Sequence, residues 1–201
     1  MATTEYATLA ELKEQLSIEA DDDSRDDLLT KALASASRSI DQATNRRFWI
    51  DDTPVARVLA TRHRTVADED GDHLLTKDIG SASGVVVEVG RPGAWSDITS
   101  SVDLEPPDAL DDGQPVTSLL LLSGAWPVGG GQRARVTARW GWPAVPDNIV
   151  QACLIQASRL YKRKDSPEGV MGSAEWGVVR LSRRDPDVWA LIEPYILAGL
   201  A

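Results

Sequence analysis

Two histidines and a short acidic run are the residues whose chemical types could hold a metal ion. His63 and His73 are the only histidines of the 201-residue chain, and residues 68–72 between them have the sequence DEDGD. Imidazole and carboxylate groups can together ligate a divalent metal. The run lacks the oxygen spacing and the closing glutamate of a helix-loop-helix calcium site, so a tight acidic turn is the favoured interpretation. A metal-dependent hydrolase built around these residues is the third of three hypotheses.

The chain has few other groups suited to catalysis. Cys153 is the only cysteine, which excludes an intrachain disulfide and a four-thiolate zinc site, and its place in an apolar helical stripe predicts a core residue. Gly129–Gly131 precede Gln132 and Arg133 rather than the residues of a phosphate-binding loop, and predict a hairpin turn. No nucleophile elbow, zinc-protease helix or dinucleotide fingerprint occurs. We therefore predict no catalytic residue, no metal ligand and no cofactor.

Basic residues cluster at two places, 159–164 (RLYKRK) and 180–184 (RLSRR). One interpretation is a patch that contacts DNA phosphates. The other is a solvated helix end whose cations complement the negative end of the helix dipole, which is favoured for Lys162 and Lys164. The second cluster could also meet an acidic surface of a neighbouring subunit. These side chains carry the second hypothesis, a DNA-binding or regulatory helical module: Arg159, Lys162, Arg163, Lys164, Arg180, Arg183 and Arg184.

Two helices are predicted before residue 50. Thr8 and Glu11 fit a capping box that starts a helix over residues 9–17. Ser24 and Asp27 fit a second box, after which leucine, alanine and isoleucine recur at three- and four-residue spacing through a helix of about 20 residues. This is the strongest helical pattern in the sequence.

Two further helices are predicted after Trp142. Pro146 and an apolar stripe predict a helix over 147–164, and residues 166–177, rich in glycine and small side chains, predict a loop. Asp185 is a cap for a last helix that Pro194 ends or kinks.

The segment between these helix pairs has the pattern of β-structure, with short β-rich runs between glycine and proline turns. The run 133–140 alternates between apolar and basic residues, as a half-buried strand does. Its predicted partner is the run 118–122, because the residues between the two are turn formers. The predicted strands are 57–61, 85–89, 101–104, 118–122 and 133–140.

The predicted fold class is therefore α+β, a small core of about four helices with a β-rich insert between the second and third helices. The predicted domains are a helical core (1–49 and 143–201), the β-rich insert (50–142) and a flexible contact loop (166–184). The longest purely apolar stretch, Leu119–Leu122, is far shorter than the ~20 residues of a membrane-spanning helix, and no basic-then-apolar leader opens the chain. We therefore expect no membrane association.

The charge is strongly acidic. The chain has 31 Asp and Glu against 21 Lys and Arg, a formal net charge of -10, and a pI near 4.7. Residues 1–142 hold 24 acidic and 14 basic side chains, whereas residues 143–201 hold seven of each. This sign disfavours a protein whose main task is to bind phosphate backbones.

Several segments together resemble the head-tail connector (adaptor) proteins of tailed double-stranded DNA phages. The resemblance covers residues 5–50 and 138–196. Its segments are ATLAELKEQL, SIDQATNRRFW, RWGWPAVPDNIVQAC, YKRKDSPEGVMG and DPDVWALIEPY, in that order along the chain.

The resemblance implies a structural, non-enzymatic virion protein at the neck, made in the host cytoplasm. Its protomers assemble as a ring, usually of twelve, beneath the portal protein. The ring also docks a head-completion or tail-terminator protein, and the genomic DNA passes through its channel without sequence-specific binding. An acidic protomer suits this role, because it lowers non-specific adhesion to DNA.

Contacts with the portal or a neighbouring subunit are expected in the segment 166–184. Trp176 follows a glycine-rich stretch in which a lone monomer would have difficulty covering it, so a protein contact and a small satellite core are the two interpretations. The contact candidates are Val170, Met171, Trp176, Val178, Arg180, Arg183 and Arg184.

Overall fold

The computed structural model describes residues 4–163, 170–171, 179–180 and 185–197. The chain divides into two compact units. One, the β unit, spans Arg46–Ala144, and the other, the helical unit, combines Thr3–Asn45 with Val145–Leu197. The prediction of a mixed α+β fold is confirmed, since the described residues contain four α-helices and a large antiparallel sheet.

The helical unit contains α1 (Leu9–Gln15), α2 (Asp26–Thr44), α3 (Asp147–Lys162) and α4 (Pro186–Ile192). A 3-10 turn, Glu193–Tyr195, follows α4 at the proline predicted to end it. The apolar faces of α1, α2 and α3 supply a buried core whose fully covered side chains include Leu12, Leu29, Ala36, Ile40, Ile149, Cys153 and Ala157. No described helix is long and apolar enough to cross a membrane.

Helix starts follow the predictions in two cases and depart from them in one. The Thr8–Glu11 capping box is present at α1, and the Asp185 side chain accepts hydrogen bonds from two backbone amides of α4. The predicted box at Ser24 and Asp27 is wrong. The N-cap of α2 is Arg25, whose side chain makes no capping hydrogen bond. The Ser24 hydroxyl does not cap the helix and donates to Asp22 Oδ1 instead.

The β unit contains seven strands, which all lie between α2 and α3 in the chain. Their bounds are β1 (Val55–Leu59), β2 (Thr65–Ala67), β3 (Asp72–Arg91), β4 (Ala94–Asp97), β5 (Val102–Glu105), β6 (Val116–Leu121) and β7 (Arg133–Trp140). The sheet order is β1-β7-β3-β6-β5, with β2 and β4 also paired to β3.

The predicted pairing of β6 with β7 is wrong. Both strands pair with β3, a strand of 20 residues. The first part of β3 pairs with β6, and its later part pairs with β7 after register shifts between Ile79 and Val86. The other neighbour of β7 is β1, and that of β6 is β5. The long strand therefore separates the two that the sequence predicted as a hairpin.

The alternation predicted for β7 is confirmed. Ala134, Val136, Ala138 and Trp140 are buried, while Arg133 is exposed and the residues between are half-buried. The buried side chains join a core with β3 and β6 residues such as Leu74, Val87 and Leu119. The β unit contains no cysteine, so no disulfide stabilises it. Its stability depends on the packing of this apolar core.

The first residues of the β unit, near Asp51, and its last residues, near Trp140, are joined by a backbone hydrogen bond, and β3 binds the same end of the unit through Asp78. The Asp51 amide donates to the Trp140 carbonyl at 2.8 Å, and the Gly141 amide donates to the Asp78 carbonyl at 2.8 Å. A Cβ on Gly141, whose φ is +115°, would lie 1.9 Å from the Trp49 carbonyl oxygen. Glycine is required at position 141, because only it combines this backbone conformation with so close an approach.

Candidate assembly surfaces

The predicted contact loop lies mostly outside the described residues. Val170–Met171 and Val179–Arg180 form two short antiparallel strands, β8 and β9, with Val170 opposite Arg180. Both lie within the segment 166–184 that the sequence predicted as a flexible contact loop. The remaining contact candidates, Trp176, Val178, Arg183 and Arg184, lie outside the described residues, so their role stays a prediction.

The described residues of the predicted basic patch at the end of α3 have different environments. The Arg159 Nη1 lies 2.6 Å from Asp185 Oδ2, and both side chains are largely covered. Because Asp185 also caps α4, Arg159 ties the end of α3 to the start of α4. Lys162 and Arg163 are exposed, and Lys164 lies outside the described residues.

The helical unit has a shallow groove between α2 and α3. Its volume is about 220 Å³, and its lining residues are Leu28, Lys31, Ala32, Ser35, Leu160 and Tyr161. Leu28 is 48% exposed although it belongs to the apolar stripe of α2. The Tyr161 hydroxyl accepts a hydrogen bond from Arg25 Nη1 at 3.2 Å. The groove therefore leaves part of the amphipathic face of α2 accessible.

Three arginines contact one aspartate, Asp51, in the β unit; we call Arg47, Arg57 and Arg139 the arginine cluster. Arg47 Nη2 lies 2.8 Å from Asp51 Oδ1, and Arg57 Nη2 lies 3.6 Å from Asp51 Oδ2. Arg139 Nε donates to the Asp51 backbone carbonyl at 2.9 Å.

Two guanidinium groups of the arginine cluster stack on tryptophan rings. The Arg47 guanidinium lies 3.7 Å from the ring centre of Trp49, and that of Arg57 lies 4.5 Å from the ring centre of Trp140. Such stacking holds a guanidinium in place without consuming its N–H donors. Burial, and then repulsion by Arg47, lowers the pKa of Arg57, against which Asp51 acts only partly.

Sequence reasoning missed the arginine cluster. The sequence places Arg47 and Trp49 in the segment SIDQATNRRFW and Arg139 on the basic face of a predicted strand. Neither pattern predicts that these residues lie close together. The missing information is the pairing of β1 with β7, which brings Arg57 and Arg139 to neighbouring strands. Arg47 lies outside both strands and reaches the cluster through its contacts with Asp51 and with the Trp140 carbonyl.

A second charged group of the β unit is buried. Arg46 Nη1 lies 2.9 Å from Asp78 Oδ1, with side chains 13% and 6% exposed, and Trp142 Nε1 donates to Asp78 Oδ2 at 3.1 Å. Burial raises the pKa of Asp78, while the Arg46 charge and the Trp142 hydrogen bond act in the opposite direction. Phe48 packs on the Trp142 ring at 5.2 Å between ring centres. This arrangement is structural, because water cannot reach the charges freely.

The residues considered for metal chemistry are dispersed. His73 Nε2 lies 3.1 Å from Asp68 Oδ1, and that carboxylate also accepts from the amides of Asp70 and Gly71 in a tight turn. Within the described ranges there is no group of three or more His, Cys, Asp or Glu side chains that could hold a metal.

Cys153 has the environment of a core residue, as predicted. It is fully buried in the helical unit, with its Sγ 3.4 Å from the Ser37 hydroxyl. Burial raises the pKa of its thiol, so the reactive thiolate is disfavoured.

A comparison with models of known protein families finds a match to the first part of the chain. Residues 6–77 match the family model described as "Phage gp6-like head-tail connector protein". The matched residues include α1, α2, β1, β2 and the start of β3. The resemblance to head-tail connector proteins is therefore confirmed.

Two solved structures are similar over the whole chain. One is described as "Neck of empty GTA particle computed with C6 symmetry", with 20% identity, a TM-score of 0.61, and 100% of this chain and 97% of that chain covered. The other, "Virion of native gene transfer agent (GTA) particle", has 18% identity, a TM-score of 0.52, and coverage of 100% and 95%. At these identities the likeness concerns the fold. No match was found among curated proteins.

Proposed function

We propose that the chain is a structural virion protein of the neck, a head-to-tail adaptor that forms a ring below the portal. The observation that carries this proposal is the head-tail connector match over residues 6–77. The neck chain with a similar fold supports it, because that likeness covers all of this chain, including the β unit.

The finer parts of the proposal concern the ring. Twelve copies extend the DNA channel, with the helical unit as the connector core and the β unit as an insert. A head-to-tail ring needs one surface of each protomer to fit a different surface of the next. Twelve copies are compatible with the six-fold symmetry named for the similar neck.

The proposed partners are the portal protein on one side and a head-completion or tail-terminator protein on the other. The genomic DNA passes through without sequence-specific binding, which the net charge of -10 favours. No observation favours the two other hypotheses: Arg159 of the basic patch is engaged by Asp185, and His73 is engaged by Asp68.

Localisation in the particle tests the proposal. Immunogold labelling of purified particles with an antibody against the chain should mark the junction of head and tail. Particles made without the chain should have filled heads that lack tails. Label on the capsid shell or the tail tip, or normal tailed particles without the chain, would contradict the proposed function.

The segment 166–184 is our proposed contact with the portal or the next protomer. Deletion of Gly169–Gly177 should abolish docking on the portal while the monomer keeps its circular dichroism spectrum. Trp176→Ala should weaken docking, and Ser173→Ala in the same segment is the matched control. Unimpaired particle assembly by the deletion variant would remove this segment from the contact surface.

A further inference from the structure

The arginine cluster is a concentration of positive charge in a strongly acidic protein. Two guanidinium groups, those of Arg47 and Arg57, contact the single carboxylate of Asp51, and the third, that of Arg139, donates to its backbone carbonyl. The adjacent Asp52 is exposed and makes no ion pair within the described part of the chain. The neighbourhood thus keeps a net positive charge where the chain as a whole is at -10. Such a local reversal of sign is expected where a surface receives an anionic group.

The cluster also has N–H donors to spare. Each guanidinium carries about five N–H groups. Among the described residues Arg57 has only the Asp51 contact at 3.6 Å and its stacking on Trp140. Its side chain is 36% exposed, and that of Arg47 is 27% exposed. A planar guanidinium fixed on an aromatic ring is preorganised for a carboxylate or phosphate oxygen.

The burial of Arg57 and its closeness to Arg47 favour an added anion. Both lower the pKa of Arg57, while Asp51 acts in the opposite direction, so a further carboxylate would stabilise its charged form. A carboxylate that approached the cluster from outside would supply that compensation. The gain comes from a partly covered site, where screening by salt is weaker than on an open surface.

The acidic residues of a second copy are the partner that charge complementarity favours. The stretch 21–27, with the sequence DDDSRDD, has five carboxylates in seven residues. Asp21, Asp23 and Asp27 are exposed, whereas Asp26 is bound by Lys13 at 2.6 Å. A DNA backbone is disfavoured, because the whole chain would repel it at distances beyond the cluster.

We propose that Arg47, Arg57 and Arg139 form a carboxylate-binding surface that receives the acidic stretch 21–27 of a second copy of this chain. The inference rests on the proposed function, since it assigns one of the contacts between neighbouring protomers. The Arg57 guanidinium is the central donor, and Trp140 holds it in position.

A peptide experiment tests this surface without ring assembly. A fluorescein-labelled peptide of residues 19–28 (EADDDSRDDL) is titrated with the full chain at about 50 mM and about 300 mM salt, and its anisotropy is recorded. The peptide should bind, and more weakly at the higher salt. Arg57→Glu should reduce the affinity about tenfold or more, as loss of a close charge pair does.

Three controls make the outcome decisive. Arg62→Glu, an exposed arginine of the same unit, makes the same charge change and should leave binding unaltered. A peptide with asparagine in place of each aspartate should not bind. Arg57→Gln replaces Arg57→Glu if circular dichroism shows that the glutamate variant does not fold. No binding of the acidic peptide, or equal loss in the Arg57 and Arg62 variants, would overturn the proposal.

Duplex DNA as competitor decides between the two anionic partners. If a short duplex binds the cluster and displaces the peptide in an Arg57-dependent manner, the surface serves nucleic acid and the proposal is overturned. Absence of competition supports the acidic segment of a second copy.

Ring assembly separates failure of this surface from failure of the proposed function. Where the wild-type chain assembles, alone or on portal, Arg57→Glu should assemble poorly. The triple change Arg57→Glu, Asp21→Lys and Asp23→Lys should recover part of the assembly. Normal assembly of Arg57→Glu would overturn the surface and leave the adaptor function standing. A wild-type chain that never assembles would contradict the adaptor function whatever the peptide shows.

Discussion

At the scale of single residues, Asp78 and Arg46 form a nearly covered ion pair in the β unit. The Trp142 indole N–H satisfies the second carboxylate oxygen of Asp78. A buried charge of this kind is tolerated only while its partners are present. Removal of one partner should therefore destabilise the residues around Trp142 much more than the loss of an exposed ion pair would.

Asp78→Asn should lower the free energy of unfolding by about 3 kcal/mol, because it leaves the Arg46 charge buried without its carboxylate. Urea denaturation of both proteins measures this. Asp103→Asn, an exposed aspartate of the same unit, is the matched control and should change stability by less than about 0.5 kcal/mol. Equal stability of the Asp78 and Asp103 variants would contradict the account.

Glu88 and Arg135 are opposite each other on β3 and β7 and make two hydrogen bonds of 2.5 Å. The hydrogen bond from Arg135 lowers the pKa of Glu88 from its ordinary value of 4.5. The pair therefore stabilises the fold above pH 4.5, and this contribution is lost as the pH falls through the lowered pKa of the folded state.

Glu88→Gln should be less stable than the wild type at neutral pH, and the difference should vanish in acid. Thermal unfolding of the two proteins between neutral pH and about pH 3 measures the effect. Glu69→Gln, an exposed glutamate of the acidic turn, should show no such loss. A difference that stays constant across the pH range would mean that the ion pair is not its cause.

At the scale of elements, the sequence predicts the helices better than the sheet. α2 and α3 have sustained apolar periodicity, and the alternation of β7 is visible without any partner. The course of β3 is hidden, because Gly80, Ser81, Ser83 and Gly84 in its middle have the composition of a turn. Its register shifts lie at these residues, so one long irregular strand was predicted only as its last part.

The pairing of β6 with β7 was predicted from the turn-forming residues between them. Turn composition does not show which strand lies beside which, and β6 and β7 run in the same direction because each is antiparallel to β3. The arginine cluster was missed for the same physical reason, since Arg139 is distant in sequence from Arg47 and Arg57 and lies near them only because β1 pairs with β7.

The start of α1 depends on the Thr8 side chain, whereas the start of α2 does not depend on Ser24. Thr8→Ala should therefore cost about 1 kcal/mol, the usual effect of losing an N-cap. Ser24→Ala is the matched control and should be close to neutral. Urea unfolding followed by circular dichroism distinguishes the two. A larger effect of the Ser24 variant would show that α2 is capped by this hydroxyl after all.

Position 141 of the β unit requires glycine, because the backbone of Trp49 lies very close to Gly141. Gly141→Ala should cost about 3 kcal/mol or more, because the added Cβ meets the Trp49 carbonyl oxygen. Gly113→Ala shares a positive φ but has no atom within 4 Å of the added Cβ, so it should cost only about 1 kcal/mol. Thermal unfolding measures both, and similar costs would contradict the close contact.

At the scale of the whole molecule, the net charge bears on the proposed assembly into a ring and on the proposed passage of DNA. The net charge of -10 makes protomers repel at long range, yet charges separated by more than about 8 Å are screened at physiological salt. Short-range contacts such as the arginine cluster can therefore hold neighbouring copies together. Under the proposed function, the same charge would lower the adhesion of DNA to a channel built from this chain.

Duplex DNA should not be retained by the chain at about 50 mM salt, where phosphate binding is strongest. Filter binding or an electrophoretic shift measures retention. Steep salt-dependent binding that disappears in a Lys162→Glu, Arg163→Glu variant would favour the DNA-binding hypothesis over the adaptor.

The mass of the assembled species tests the adaptor account most directly. Mass photometry of the chain alone and mixed with portal should show a ring of about twelve copies, formed at least on the portal platform, as a closed head-to-tail assembly requires. A chain that stays monomeric in both samples, and leaves the mass of the portal unchanged, would contradict the account.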